Sequence, residues 1–189
     1  SAHIQAYQLI HRERSARGLS GTRVGYAHHL QVFIPYSARN PLHRLSTKIA
    51  DHISHTVICD AFHTGRFRWP LRNVHKLPEG RYYDMIRINY YSRTPVAGFA
   101  GKPRSGEPIN DLRWPIYPQG IAEVAHRLHN RYSAPIYITE NGTCDQDDVF
   151  RCRYIAEHLQ ALVQSELPVE RYYQWALTDN WEWALGEVP

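Results

Sequence analysis

Apolar positions along the 189-residue chain recur at two periods, and the alternation between them predicts its elements. Ala2, Ala6, Leu9 and Ile10 fall at helical spacing, so a helix opens the chain and ends near Gly18. "TRVGYAHHL" (22–30) reads as a strand. Ile49, Ile53, Val57 and Ala61 then share one face of a second helix. "HTGRFRWPLRN" (63–73) has no period and reads as a long loop, followed by a strand at "YYDMIRINYY" (82–91). Residues 94–118 carry Pro and Gly throughout and predict loop. Ile121, Val124, Ala125 and Leu128 mark a third helix, "APIYIT" (134–139) a strand, and Ile155, Leu159, Leu162 and Val163 a fourth helix. "VERYYQWAL" (169–177) is the last strand.

Strands alternating with helices of this length imply parallel β/α units joined by right-handed crossovers. The fold class is α/β, in a single domain over 1–189. Four such units make half of an eightfold barrel, or a small open sheet with helices on both faces.

Composition adds little until the aromatics are considered. With 43% hydrophobic and 21% charged residues the chain is globular and long enough for a real core. Five Trp and thirteen Tyr fit either a large core or carbohydrate recognition, where sugar C–H faces stack on rings and polar tips bond hydroxyls. The net charge of +4 is mild, and Arg12, Arg14 and Arg17 read as a solvated helix face, so no nucleic acid partner is expected. Cys59, Cys144 and Cys152 form no C-x-x-C unit, and no signal sequence is recognisable; both point to a reducing cytoplasm. No apolar run reaches the ~18 residues needed to span a bilayer, so no membrane partner is expected. His52 and His55 stand three apart without a third ligand at suitable spacing, and no Gly-rich phosphate cradle follows a strand. Neither a metal nor a cofactor is expected.

In β/α folds chemistry gathers beyond the C-terminal ends of the strands. The first strand delivers His28 and His29 there, the second Asn89, Tyr90 and Tyr91, the third Thr139, Glu140 and Asn141. The fourth delivers Trp175, with Asp179, Asn180, Trp181, Glu182 and Trp183 just beyond. Glu140 alone is explained equally by a turn at Asn141-Gly142. Beside the other three strand ends, it marks a candidate site.

Here the chain resembles a family. "IYITENG", "INYYSR", "RWPIYPQGI" and "RYYQWALTDNWEWALGE" look like the C-terminal half of family 1 glycoside hydrolases, the retaining β-glucosidases and 6-phospho-β-glucosidases, which are (β/α)8 barrels. The resemblance implies that the chain is the C-terminal half of such a TIM barrel. It implies Glu140 as catalytic nucleophile, with Tyr91 orienting it. It further implies Asn89, Trp114, Trp175, Glu182 and Trp183 as substrate-binding residues. The physical logic agrees: a carboxylate nucleophile must stay ionised and needs donors such as a Tyr hydroxyl and an Asn amide.

Several positions depart from that pattern. Retaining hydrolysis needs a second carboxyl group about 5–5.5 Å from the nucleophile. In the family this acid/base glutamate lies in an "NEP" motif, which the chain lacks. Arg87 stands where the family has a small residue, sharing a face with Asn89 and Tyr91, and Leu185 replaces an acidic one. The expected partners are thus a β-glycoside or sugar ligand, and either a complementary N-terminal half-barrel or a second copy covering the strand edges at 22–30 and 169–177. Apolar interior side chains would be uncovered without it. Whether the chain alone is an enzyme is left open, and it is expected to be inactive on unactivated substrates. The alternative is a non-catalytic sugar-binding module or a self-associating remnant.

Overall fold

The computed structural model describes residues 1–181 and 186–188. The elements run α1 (Ala2–Ala16), β1 (Ala27–Pro35), α2 (Pro41–Asp51), a π-helical turn (His52–Val57), α3 (Ile58–Thr64), β2 (Ile86–Ala97), β3 (Ala100–Gly101), α4 (Gln119–Tyr132), β4 (Ile136–Asn141), α5 (Arg151–Gln164) and β5 (Val169–Gln174). A small antiparallel pair, β6 (Asn180–Trp181) with β7 (Glu187–Val188), follows. The main sheet has the order β1-β2-β4-β5, all parallel, with β3 hairpinned onto the end of β2. The predicted alternation of helices and parallel strands is therefore present.

The sheet's outer face carries the core. Leu30, Ile86, Ile88, Tyr90, Ile136 and Ile138 are fully buried against Ile121, Val124, Ala125 and Leu128 of α4 and Leu162 of α5. Each such aliphatic side chain contributes about 1.5–3 kcal/mol relative to an exposed one. α4 sits close enough that a Cβ at Gly120 would overlap the Tyr90 hydroxyl, which donates to Tyr117 O at 2.7 Å. Asp60 ties α3 to α4 by accepting from Arg131 at 2.7 and 2.6 Å and from the Tyr132 hydroxyl at 2.8 Å. Burial alone would raise the Asp60 pKa, but these donors outweigh it and hold the carboxyl below its ordinary value.

Element boundaries differ from the predicted ones. β1 starts later and runs on to Pro35, because residues 22–26 join no ladder and are held at Val24 by the Asp84 carboxylate (2.9 Å) and backbone N–H (2.8 Å). Asp84 also accepts from Tyr7 at 3.0 Å, and His11 Nε2 lies 2.7 Å away, which pins α1. Residues 82–85 precede the ladder, since the Tyr82 N–H bonds His63 O. β2 instead continues to Ala97 within the region expected to be loop. Beyond Asn89 it pairs with β1 but no longer with β4, which leaves Pro95 tolerable there. In the second helix a strict four-residue repeat drifts about 40° per step from α-geometry. Val57 and Ala61 are buried while Ile49 is exposed, with the π-helical turn between them.

The inner face is polar where apolar side chains were expected. Arg87, Asn89, Tyr91 and Arg93 alternate with the buried outer residues of β2. Near the strand ends, exposed apolar groups stand on and past β5, at Tyr173, Trp175, Leu177 and Trp181.

Candidate active site

β2 and β4 place the central pair. Their register sets Asn89 opposite Glu140, after an irregularity between Ile88 and Asn89. Tyr91, two residues on, points to the same inner face, and its hydroxyl donates to Glu140 Oε2 at 2.6 Å. A bond to a charged acceptor of this length is among the stronger side-chain hydrogen bonds. Asn89 Oδ1 accepts from the Thr139 hydroxyl at 2.6 Å, which fixes the amide's orientation beside the carboxylate.

Asn141 and Gly142 are not a turn dipeptide. Asn141 is the last residue of β4 and is fully buried. Its amide donates to Tyr90 O (2.7 Å) and to the Tyr154 hydroxyl (3.2 Å), and its Oδ1 accepts from Tyr172 (2.8 Å). One side chain thereby joins β2, β4, α5 and β5 immediately behind Glu140. Gly142 allows the next strand's end to approach, since a Cβ there would overlap the Trp175 carbonyl. The Trp175 N–H bonds Asn141 O at 2.9 Å, and the Trp175–Ala176 peptide is cis.

These groups line a cavity of about 1020 Å³ that opens at the C-terminal ends of the strands. Glu140, Tyr91, Asn89, Trp114 and Trp175 all border it, so five of the seven predicted site residues are brought together. Glu182 and Trp183 lie outside the described residues. Trp114 packs edge-on to Tyr91, with ring centroids 6.0 Å apart. An Asn110 clasp holds it: Asn110 Oδ1 accepts from Trp114 N–H at 2.8 Å, and Asn110 N–H donates to Trp114 O at 3.0 Å. Trp175 is 46% exposed, its ring open to the cavity.

His29 also borders the cavity and packs edge-on to Tyr91 at 5.7 Å. Its alternation with Leu30 in β1 was the sequence signal for it. The loop after Glu140 is tied down by Asp145, whose carboxylate accepts from the N–H groups of Val149, Phe150 and Arg151 at the start of α5. Arg151 in turn bonds Asp148, Thr143 O and Asp145 O. Arg87 reaches away from the cavity and donates to Gly25 O at the foot of the sheet (3.4 Å); among the described residues no ion pair joins it to Glu140. No cluster of metal-binding side chains exists among the described residues.

A sequence model of glycosyl hydrolase family 1 matches residues 82–187. The chain belongs to that family. It is 34% identical over 194 residues to the chloroplastic galactolipid galactosyltransferase SFR2 of Arabidopsis thaliana, covering 100% of this chain and 28% of that protein. It is also 34% identical over 130 residues to a β-galactosidase of Pyrococcus woesei, covering 54% of this chain and 25% of that protein. The β-glycosidase structure from Pyrococcus horikoshii superposes with a TM-score of 0.82 at 28% identity, covering 99% of this chain and 45% of that one. This family 1 chain thus spans under half the length of these relatives. Its parallel α/β sheet is part of a (β/α)8 barrel.

Proposed function

We propose that the cavity is the nucleophile side of a retaining β-glycosidase site, with Glu140 as nucleophile. The observation that carries this is the 2.6 Å bond from Tyr91 to Glu140 Oε2 inside a cavity flanked by Trp114 and Trp175. Tyr91 stabilises the ionised carboxylate and fixes which oxygen it occupies, leaving Oε1 for attack on the anomeric carbon. As the glycosyl–Glu140 ester forms, the bond to the leaving oxygen breaks, and that oxygen takes a proton from an acid. Asp145 and Asp148 are engaged with backbone donors and with Arg151, so neither is placed for this role, and Asp179, which also borders the cavity, has none of the "NEP" context of the family's acid. The acid belongs to a strand outside these residues, supplied by a complementary part of the barrel. Trp175 offers an apolar face to the sugar ring, and Glu182 with Trp183 binds its outer hydroxyls.

Glycosyl transfer is a second reading, favoured by the match along the whole chain to a protein named a galactosyltransferase. The two differ only in whether water or a sugar hydroxyl opens the ester. Incubating the chain with a 2,4-dinitrophenyl 2-deoxy-2-fluoro-β-glycoside tests the common step, because that leaving group needs no proton. A stoichiometric mass gain mapped to the Glu140 peptide is expected. Labelling elsewhere, or none, overturns the assignment. Partitioning of the labelled chain between water and an added galactoside then separates hydrolysis from transfer.

A further inference from the structure

At the opposite end of the sheet, the connection from α3 to β2 carries a feature the catalytic reading does not use. Residues 66–81 hold five cations, Arg66, Arg68, Arg72, Lys76 and Arg81, against a single acid, Glu79. That segment's net charge of +4 equals that of the whole chain. All five cations are exposed, and the one acid is taken by Arg66 at 3.0 Å. Between them stand two apolar side chains turned outward: Trp69 is 80% exposed and Val74 76%.

The loop is ordered by its own bonds. Asn73 clasps Leu77 through its amide (2.6 Å to Leu77 O) and its Oδ1 (2.8 Å from Leu77 N–H). The base is closed by Gly80 N–H to Thr64 O at 2.9 Å and by the Tyr82 hydroxyl to Pro78 O at 2.9 Å. The outward positions of Trp69 and Val74 are therefore built in, although each would gain by leaving water.

We propose that this loop docks on a surface of anionic lipid headgroups. An indole and an aliphatic side chain among cations suit a bilayer interface: Trp rests at headgroup level, and nearby Lys and Arg are drawn to the negative leaflet. A nucleic acid would use the cations and could stack on Trp69, but it has no counterpart for Val74. The cavity opens at the other end of the strands, about 20 Å away along β4. Docking therefore leaves its mouth facing the aqueous phase and does not depend on the catalytic assignment. No helix among the described residues is long and apolar enough to cross a bilayer, and the proposed contact is made by the loop itself. Such docking departs from the sequence-based expectation of no membrane partner.

Co-sedimentation with phosphatidylcholine vesicles, with and without phosphatidylglycerol, at physiological ionic strength tests the proposal. Binding is expected only with phosphatidylglycerol, and raising the salt should weaken it. A triple variant, Arg68→Glu, Arg72→Glu and Lys76→Glu, should lose at least about 100-fold in partitioning, at roughly fivefold per cation removed. A double variant, Trp69→Ser with Val74→Ser, should lose affinity while keeping the salt dependence. Circular dichroism melts confirm that both variants fold, and the salt series on the unaltered chain needs no variant. Absence of binding, equal binding to neutral vesicles, or equally tight binding of a duplex DNA oligonucleotide would each overturn it.

Discussion

The same four strands make two unlike faces. On the outer face the two central strands, β2 and β4, alternate aliphatic or aromatic side chains sealed under helices, as at Ile86, Ile88, Tyr90, Ile136 and Ile138. On the inner face Tyr91 bonds Glu140 and Thr139 bonds Asn89 by short hydrogen bonds, and Asn89, Tyr91 and Glu140 face a cavity. Adjacent residues on one strand therefore do different work: one set stabilises the sheet, and the other is held in place by that stability. The comparison predicts that inner-face substitutions change chemistry at nearly constant stability, and outer-face substitutions the reverse.

The largest effect expected is from Glu140→Gln. Removing a nucleophile commonly lowers turnover by about 10⁴-fold or more. Glycosylation by the activated fluoro-glycoside should vanish, while the denaturant midpoint stays within the shift of an ordinary surface change, about 0.5 kcal/mol. A large loss of stability would break the comparison, because Glu140 would then be part of the scaffold. Ile138→Ala is the outer-face counterpart. Truncating a fully buried Ile should destabilise by about 2–5 kcal/mol in urea unfolding. Labelling of the fraction that remains folded should continue at the original rate.

Tyr91→Phe sharpens the contrast, since it removes one hydroxyl and little volume. A hydrogen bond to a charged group contributes about 1.5–3 kcal/mol, so glycosylation should slow by roughly 10- to 150-fold. The Tyr91 backbone carbonyl still accepts from Tyr154 at 2.8 Å, which keeps the strand in place. A rate equal to the parent's would show that Tyr91 does not act through Glu140.

The strand alternation was legible in the sequence, and period-two patterning sets Asn89 and Tyr91 opposite in face to Ile88 and Tyr90. Glu140 was legible only from its place at a strand end, since strict alternation would put it with Ile136 and Ile138 and the irregularity beside Asn89 turns it inward. What was not legible depended on partners far along the chain. Gln31 broke the apolar pattern of β1, yet its Oε1 accepts from Thr94, sixty-three residues away, so the strand runs on. Tyr82 and Tyr83 read as strand because they are large and apolar, whereas they pack beneath the helices, with the Tyr83 hydroxyl donating to Tyr132 O. Asn141 reads as a turn residue in any local window. Only Tyr90, Tyr154 and Tyr172 together make it the buried hub behind the nucleophile candidate. The Asn110 clasp that sets Trp114 is local, four residues in span, and was available as a signal in "NDLRW".

The smallest effect expected distinguishes the faces by proton uptake. His158, packed under β2 beside Tyr90, is fully buried, and burial lowers its pKa from the ordinary 6.5 to about 4. Its Nδ1 lies 2.7 Å from Tyr154 O and acts as donor, while Nε2 has no hydrogen-bond partner. Protonation would place a second N–H in an apolar pocket. Because the unfolded chain binds that proton more readily, stability is full above pH 6.5 and declines as pH falls from there toward 4. His63, also lowered to about 4 by burial, adds in the same direction. Melting temperature should therefore drop between pH 7 and pH 5. His158→Phe should flatten that drop, whatever its effect at pH 7. His29→Asn should flatten it less, because burial lowers the His29 pKa as well but the side chain stands on the open inner face. An equal flattening by both would mean that acid sensitivity is not a property of the packed face.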